Sequence, residues 1–247
     1  MKLQDKVVLI TGSSSGIGKA MAIKFAKEGA KIVVNFKTNR KGAEEVVKVI
    51  KKINFEAFAI QADVANPIEV KRLFLQILNK YKTVDVLINN AGLAKKKDFL
   101  KITRRDLVEE FEKNFFSMVY CSQEAAKIML KKGSGKIINM SSICGLPNTG
   151  CSTILTYTTA KAASISFTKT LAQALAPKIT VNAVAPGFTL TRYWNGIAKG
   201  EESGLLNSTL LKRWIKADEI AEAFLYLAKN DAVTGQVLIV DGGYTLK

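Results

Sequence analysis

The chain has 247 residues, 48% of them hydrophobic, with 4 Pro and 17 Gly; this suits one large α/β domain or two small ones and excludes a disordered or collagenous chain. Its 37 Lys and Arg against 21 Asp and Glu give a formal charge of +16, and histidine is absent, which excludes Ser-His-Asp hydrolysis, Cys-His proteolysis and imidazole-ligated metal sites. Proton chemistry has to come from Tyr, Lys or carboxylates.

The first apolar run, residues 6–11, predicts a strand that leads directly into Gly12-Ser13-Ser14-Ser15-Gly16-Ile17-Gly18 and a helix over 17–28. Glycines at such a turn let the backbone approach a pyrophosphate, whose charge sits on free amides at the helix N-terminus. It is not a P-loop: five residues separate Gly12 from the Gly18-Lys19 pair, and Ala20 stands where a magnesium-binding hydroxyl belongs. The spacing differs from GxGxxG as well. Further strands are predicted at 31–36, 56–61, 84–88, 135–140, 178–184 and 236–240, short and rich in Val and Ile. Helical periodicity fills 39–53, 67–80, 103–131, 156–175 and 217–229 between them. The alternation predicts an α/β fold, a doubly wound, seven-stranded parallel sheet in a single domain of Rossmann type. Residues 187–215 break the rhythm, and a long insertion holding Tyr193 and Trp194 reads as a lid.

On the helix over 156–175, Tyr157 and Lys161 are four residues apart and share a face. A neighbouring ammonium favours phenolate, so the pair predicts a phenol tuned for proton exchange. Cys121, Cys144 and Cys151 form no CxxC pair, and are expected to be buried free thiols, with neither a disulfide framework nor a metal site. The first ten residues are too short and charged for a secretory segment, and no uncharged apolar stretch reaches membrane-spanning length. A soluble cytoplasmic protein without membrane contact is expected.

Taken together, Thr11-Gly12-x3-Gly16-Ile17-Gly18, Asp63, Asn89-Asn90-Ala91-Gly92, Asn114, Ser142, Tyr157-x3-Lys161, Pro186-Gly187 and Asp241-Gly242-Gly243 resemble the short-chain dehydrogenase/reductase family, in family order and over essentially the whole chain. The resemblance implies that Tyr157 is the general acid for a carbonyl that receives a hydride. Lys161 would lower its pKa and hold the nicotinamide ribose, and Ser142 would bind the substrate oxygen. Ser141 is the rival, set aside because Ile143-Cys144-Gly145 follows Ser142 as the family pattern requires. Asn114 would hold a water linking Lys161 to solvent. Asp63 and Val64 would contact adenine, Asn90, Ala91 and Gly92 its ribose, and Pro186, Gly187 and Thr189 the nicotinamide.

The cofactor choice turns on the end of the second strand, where a carboxylate would bind a ribose 2′-hydroxyl. Phe36 stands there, followed by Lys37 with Arg40 and Lys41 nearby, so NADP(H) is expected, although Ser15 replaces the usual basic residue of the glycine loop and NAD(H) stays open. Within the family the pattern is closest to the 3-oxoacyl-[acyl-carrier-protein] reductases, through Gly29 to Val47 and Asp218-Glu219-Ile220-Ala221. A sugar, steroid or xenobiotic alcohol or ketone is the alternative substrate. A nucleic-acid or regulatory binder on the same fold is the alternative outside enzymes, and the intact catalytic set argues against it. The scattered basic residues are expected to be solvated rather than to bind nucleic acid, with Lys131, Lys132 and Lys178 as candidate contacts for an acidic acyl carrier protein. The resemblance implies a homotetramer. Three departures bear on substrate and oligomer contacts: a stretch from Gly145 to Tyr157 about two residues longer than in relatives, Leu210-Leu211-Lys212-Arg213 in place of Pro-Leu-Gly-Arg, and Leu171-Ala172-Gln173-Ala174-Leu175.

Overall fold

Strands buried on both faces need apolar side chains in both directions, and in the computed structural model, which describes residues 1–246, the Val/Ile runs form such strands. They are β1 (Val7–Ile10), β2 (Lys31–Phe36), β3 (Ala57–Gln61), β4 (Val86–Asn89), β5 (Gly135–Met140), β6 (Ile179–Pro186) and β7 (Val237–Val240). All pair in parallel, in the order β3-β2-β1-β4-β5-β6-β7. The helices between them are α1 (Gly16–Lys27), α2 (Arg40–Lys52), α3 (Pro67–Tyr81), α4 (Arg104–Phe111), α5 (Ser117–Lys132), α6 (Leu155–Leu175), α7 (Lys199–Asn207) and α8 (Ala217–Lys229). Alternation along β1 sends Val8 and Ile10 toward α1, α2 and α8, and Val7 and Leu9 toward α3, α5 and α6, giving a core on each face. The expected doubly wound Rossmann-type sheet is therefore present. Its direction of winding reverses between β1 and β4, and the crevice beyond the carboxyl ends of these strands is where open α/β sheets take ligands.

The helix expected over 103–131 is two helices joined by a π-helical turn, Glu112–Phe116. Periodicity alone could not locate the extra residue that such a turn inserts. The turn carries Asn114, which is 1% exposed. A buried polar chain then fixes α5 and α6 to the sheet: Asn89 Nδ2 donates to Ser122 Oγ at 3.0 Å and to Asn139 Oδ1 at 2.9 Å, and Asn139 Nδ2 donates to Thr168 Oγ1 at 2.9 Å. Each such bond protects a buried amide whose loss would cost about 1–3 kcal/mol.

The insertion at 187–215 is not an open loop. It holds a short 3-10 turn at Arg192–Trp194 and α7, and it is anchored by a bridge between Thr189 and Ile215. Trp194 lies against Phe188 (6.0 Å between ring centroids), Tyr193 (5.0 Å) and Trp214 (5.2 Å). Trp214 Nε1 donates to Glu202 Oε1 at 2.6 Å, and Lys96 Nζ lies 3.3 Å from Glu201, so the segment is tied to the loop after β4.

Lys131, Lys132 and Lys178, expected as carrier contacts, lie away from the crevice. Lys131 and Lys132 end α5, and Lys178 precedes β6 beside the start of β5, all at the amino edge of the sheet. The six residues of β5 put that edge roughly 20 Å from the crevice. Lys132 is moreover ion-paired with the buried Asp85, which also accepts from Val7 N at 2.8 Å.

Candidate active site

The crevice opens into a cleft of about 730 Å³. One end is built by the turn after β1. Gly12 (φ +61°) and Gly16 (φ +54°) adopt left-handed backbone that favours glycine, and a Cβ on Gly18 would lie 2.7 Å from the carbonyl oxygen of Gly12. Ser15, at the N-cap of α1, makes no side-chain capping bond, so the first amides of the helix stay open toward the cleft. Such a backbone cradle with uncapped amides fits a pyrophosphate. Gly12, Ser15, Gly16, Ile17 and Gly18 line it. Ser13 is buried and its hydroxyl donates to Ile10 O at 2.8 Å, while Ser14 lies outside the lining, so these two serines shape the turn.

The turn is held by Thr11, part of the glycine-loop pattern, and by Asn35, which sequence patterning did not single out. Thr11 Oγ1 accepts from the amides of Asn90 (2.9 Å) and Ala91 (3.0 Å), and Asn35 Oδ1 accepts from Gly12 N at 3.1 Å. A lone Asn inside the apolar run of β2 was the available signal. Asn90 lines the cleft, but its amide is directed to Thr11 O (2.8 Å) and Gly12 O (3.1 Å).

Beyond the turn, Phe36 is buried with the Arg40 guanidinium 5.6 Å from its ring centroid, and Arg40 also donates to Gln61. Lys37 Nζ sits 2.6 Å from Asp63, so two residues expected to touch the cofactor touch each other. Val64 is packed in the core beside α3. Gly92, Pro186, Gly187 and Thr189 line the opposite half of the cleft. Thr191, Arg192 and Lys96 line it too; Thr191 lies close to Gly16, where a Cβ would be 3.8 Å from its Cγ2.

Ser142, Tyr157 and Lys161 come together on the cleft wall. Ser142 ends β5's exit turn, its hydroxyl accepts from Cys144 N at 3.2 Å, and it faces the Tyr157 phenol, whose ionised form it favours. Ser141 faces α6 instead, donating to Lys161 O at 3.2 Å and accepting from Ser164 at 3.1 Å. Lys161 is 2% exposed and donates to Met140 O at 2.7 Å. Burial pushes the Tyr157 phenol up to about 12 against the opposing effect of Ser142, with Tyr193 and Glu110 adding to the rise. Burial likewise pushes Lys161 down to about 8, opposed by Glu110. The expected lowering of the phenol by Lys161 is not seen, because the ammonium is turned to a carbonyl and lies 5.4 Å from the ring centroid, so desolvation prevails.

Two cysteines depart from expectation. Cys144 and Cys151 form a disulfide, Cα to Cα 5.7 Å, and both line the cleft; Cys121 is the buried free thiol. The longer stretch after Gly145 folds Cys151 back onto Cys144, a pairing that a spacing without CxxC did not suggest.

The sequence profile of a family described as enoyl-(acyl carrier protein) reductase matches residues 12–245. The chain is 39% identical to a 3-oxoacyl-[acyl-carrier-protein] reductase of Synechocystis sp. over 99% of its length and 98% of that protein. It is 37% identical to the 3-oxoacyl-[acyl-carrier-protein] reductase FabG of Staphylococcus epidermidis over 97% of its length and 98% of the relative. Among solved structures, a 7α-hydroxysteroid dehydrogenase complexed with NADH and 7-oxo glycochenodeoxycholic acid superposes with a TM-score of 0.92 at 34% identity, covering 98% of this chain and 95% of that one. The chain belongs to the short-chain dehydrogenase/reductase family of oxidoreductases.

Proposed function

We propose that the protein is an NADPH-dependent 3-oxoacyl-[acyl-carrier-protein] reductase. The observation that carries this reading is the meeting of a Ser142 hydroxyl, a protonated Tyr157 and a buried Lys161 at one wall of a cleft whose other end is an uncapped glycine turn. NADPH would rest its pyrophosphate on the turn at Gly12 to Gly18, with Lys37 and Arg40 beyond it for a 2′-phosphate, and when bound it supplies the hydride. Ser142 binds and orients the carbonyl oxygen, and Tyr157 delivers the proton to that oxygen as negative charge develops. A phenol held protonated up to about 12 is the right state for a proton donor, and Lys161, an ammonium below about 8, would hold the nicotinamide ribose beside it. Phe188, Tyr193 and Trp194 wall the cleft against water.

For the carrier, Lys96 and Arg192, which line the cleft, add basic contacts to Lys131 and Lys178 at the amino edge of the sheet. The exposed apolar side chains Leu107, Val108 and Phe116 on α4 and the turn that follows support assembly into a homotetramer. The test is NADPH oxidation with a 3-oxoacyl carrier-protein thioester, in parallel with an enoyl thioester and a ketosteroid. Turnover with the 3-oxoacyl thioester that falls about 10²- to 10⁴-fold in Tyr157→Phe is expected. Turnover with the enoyl thioester or the steroid alone would overturn the substrate, and turnover indifferent to Tyr157 would overturn the chemistry.

A further inference from the structure

Behind the reacting wall lies a carboxylate that none of the expected site residues accounts for. Glu110, on the last turn of α4, is 5% exposed. Its Oε1 accepts from Asn114 Nδ2 at 3.1 Å, and the same amide donates to Glu110 O and Leu93 O, each at 3.1 Å. The amide nitrogen is thus saturated, and this orients the other end of the side chain. Asn114 Oδ1 is buried with no hydrogen-bond partner among the described residues. It points to the space over Gly92, where a Cβ would be 2.5 Å from Asn114 Oδ1 and 3.6 Å from Lys161 Nζ. Glu110 and Asn114 are therefore hydrogen-bonded, and Asn114 Oδ1 and the Lys161 ammonium border the same buried space over Gly92 without bonding each other.

We propose that Glu110 is a positioning residue for proton transfer: it fixes the Asn114 amide so that Oδ1 faces Lys161, and its charge holds Lys161 in the ammonium form while Tyr157 works. This rests on the reading of Tyr157 and Lys161 as the proton-transfer pair. A buried carboxylate without a salt bridge is costly, and its hydrogen bond to Asn114 satisfies only part of it, so its retention here calls for a task that an apolar residue could not perform. The charged and titratable groups that face it are Lys113 from its own helical run, Lys95 from the loop after β4, and Lys161 and Tyr157 from α6. Burial raises the carboxyl above its ordinary range while Lys113, Asn114, Lys95 and Lys161 oppose the rise. Glu110 in turn works against the burial that drives Lys161 down.

The experiment compares Glu110→Gln, which keeps shape and removes charge, with Glu110→Asp, which keeps charge. With the charge gone, both the ammonium of Lys161 and the neutral form of Tyr157 lose support. The alkaline limb of the kcat profile should move down by about half a pH unit or more in Glu110→Gln and stay in place in Glu110→Asp. Ultraviolet phenolate titration of the protein without cofactor, differenced against Tyr157→Phe, should show Tyr157 ionising at lower pH in Glu110→Gln. A Glu110→Gln variant with lower kcat but an unmoved profile and an unmoved phenolate titration would make Glu110 structural and overturn the proposal, as would a variant that does not fold while Glu110→Asp does. A wild-type chain without carbonyl turnover would instead bring down the functional reading, and the phenolate titration would still report on Glu110.

Discussion

Replacing Gly145 with alanine puts a methyl group where backbone already stands. Gly145 closes the short turn after Ser142, and an ideal Cβ there would lie 2.5 Å from the carbonyl carbon of Lys161, 2.7 Å from Ala162 N and 2.8 Å from Lys161 O. Ordinary carbon contacts begin near 3.5 Å, so turn and helix must part by about 1 Å. Neither partner is the free end of a side chain, and α6 is fixed to the sheet through Thr168. The turn is what yields, and it takes Ser142 away from Tyr157. Overpacking of this kind costs about 1–3 kcal/mol, a fall in Tm of roughly 3–10 °C for a chain of this size. A displacement of about 1 Å at a reacting group costs about a hundredfold in kcat, or about 2.7 kcal/mol of barrier. The KM for NADPH should hold, since the glycine turn belongs to β1 and α1. Steady-state kinetics and thermal melts on Gly145→Ala, beside Gly204→Ala, whose added methyl meets nothing within 4 Å, make the comparison. A Gly145→Ala enzyme with wild-type kcat would refute the claim that this contact sets the distance between Ser142 and Tyr157.

Other predictions follow from the same geometry. Thiol titration of the unfolded chain without reductant should find one free thiol, Cys121, and three after reduction; closing so short a loop is worth about 2.5 kcal/mol, and Cys151→Ser should raise the KM for the carbonyl substrate more than it lowers kcat. Three thiols before reduction would contradict the pairing. Since Lys161 loses its proton near 8 while Tyr157 keeps its own to about 12, the reduction rate should decline as pH rises through about 8, and a kcat profile flat to strongly alkaline pH would contradict this. Replacing Lys37 and Arg40 together by alanine should raise the KM for NADPH about tenfold or more and leave that for NADH nearly unchanged, read from initial rates with each cofactor.

The sheet was legible in the sequence because strands buried on both faces leave unbroken Val/Ile runs, and all seven begin and end within two residues of the predicted limits. The glycine turn, Ser142, Tyr157 and Lys161 were legible because each needs a particular residue type at a particular place. What stayed hidden depended on contacts between distant segments. Asn35 looks like an ordinary strand residue until its side chain is seen holding the turn. The π-helical turn adds one residue to a helix without altering its composition, so nothing in Glu109-Glu110-Phe111-Glu112 marks Glu110 as the buried carboxylate. A list of basic positions also does not say which edge of the sheet Lys131 and Lys178 occupy.

The aromatic knot of the lid has an experimental use. Trp194 and Trp214 are the chain's two tryptophans, and both belong to the segment at 187–215, in contact with each other. Fluorescence excited at the red edge of tryptophan absorption, which spares the tyrosines, therefore reports on this segment, so any movement of it can be timed in a stopped-flow instrument on the unmodified chain, and energy transfer to a reduced nicotinamide would mark arrival of the cofactor in the same trace.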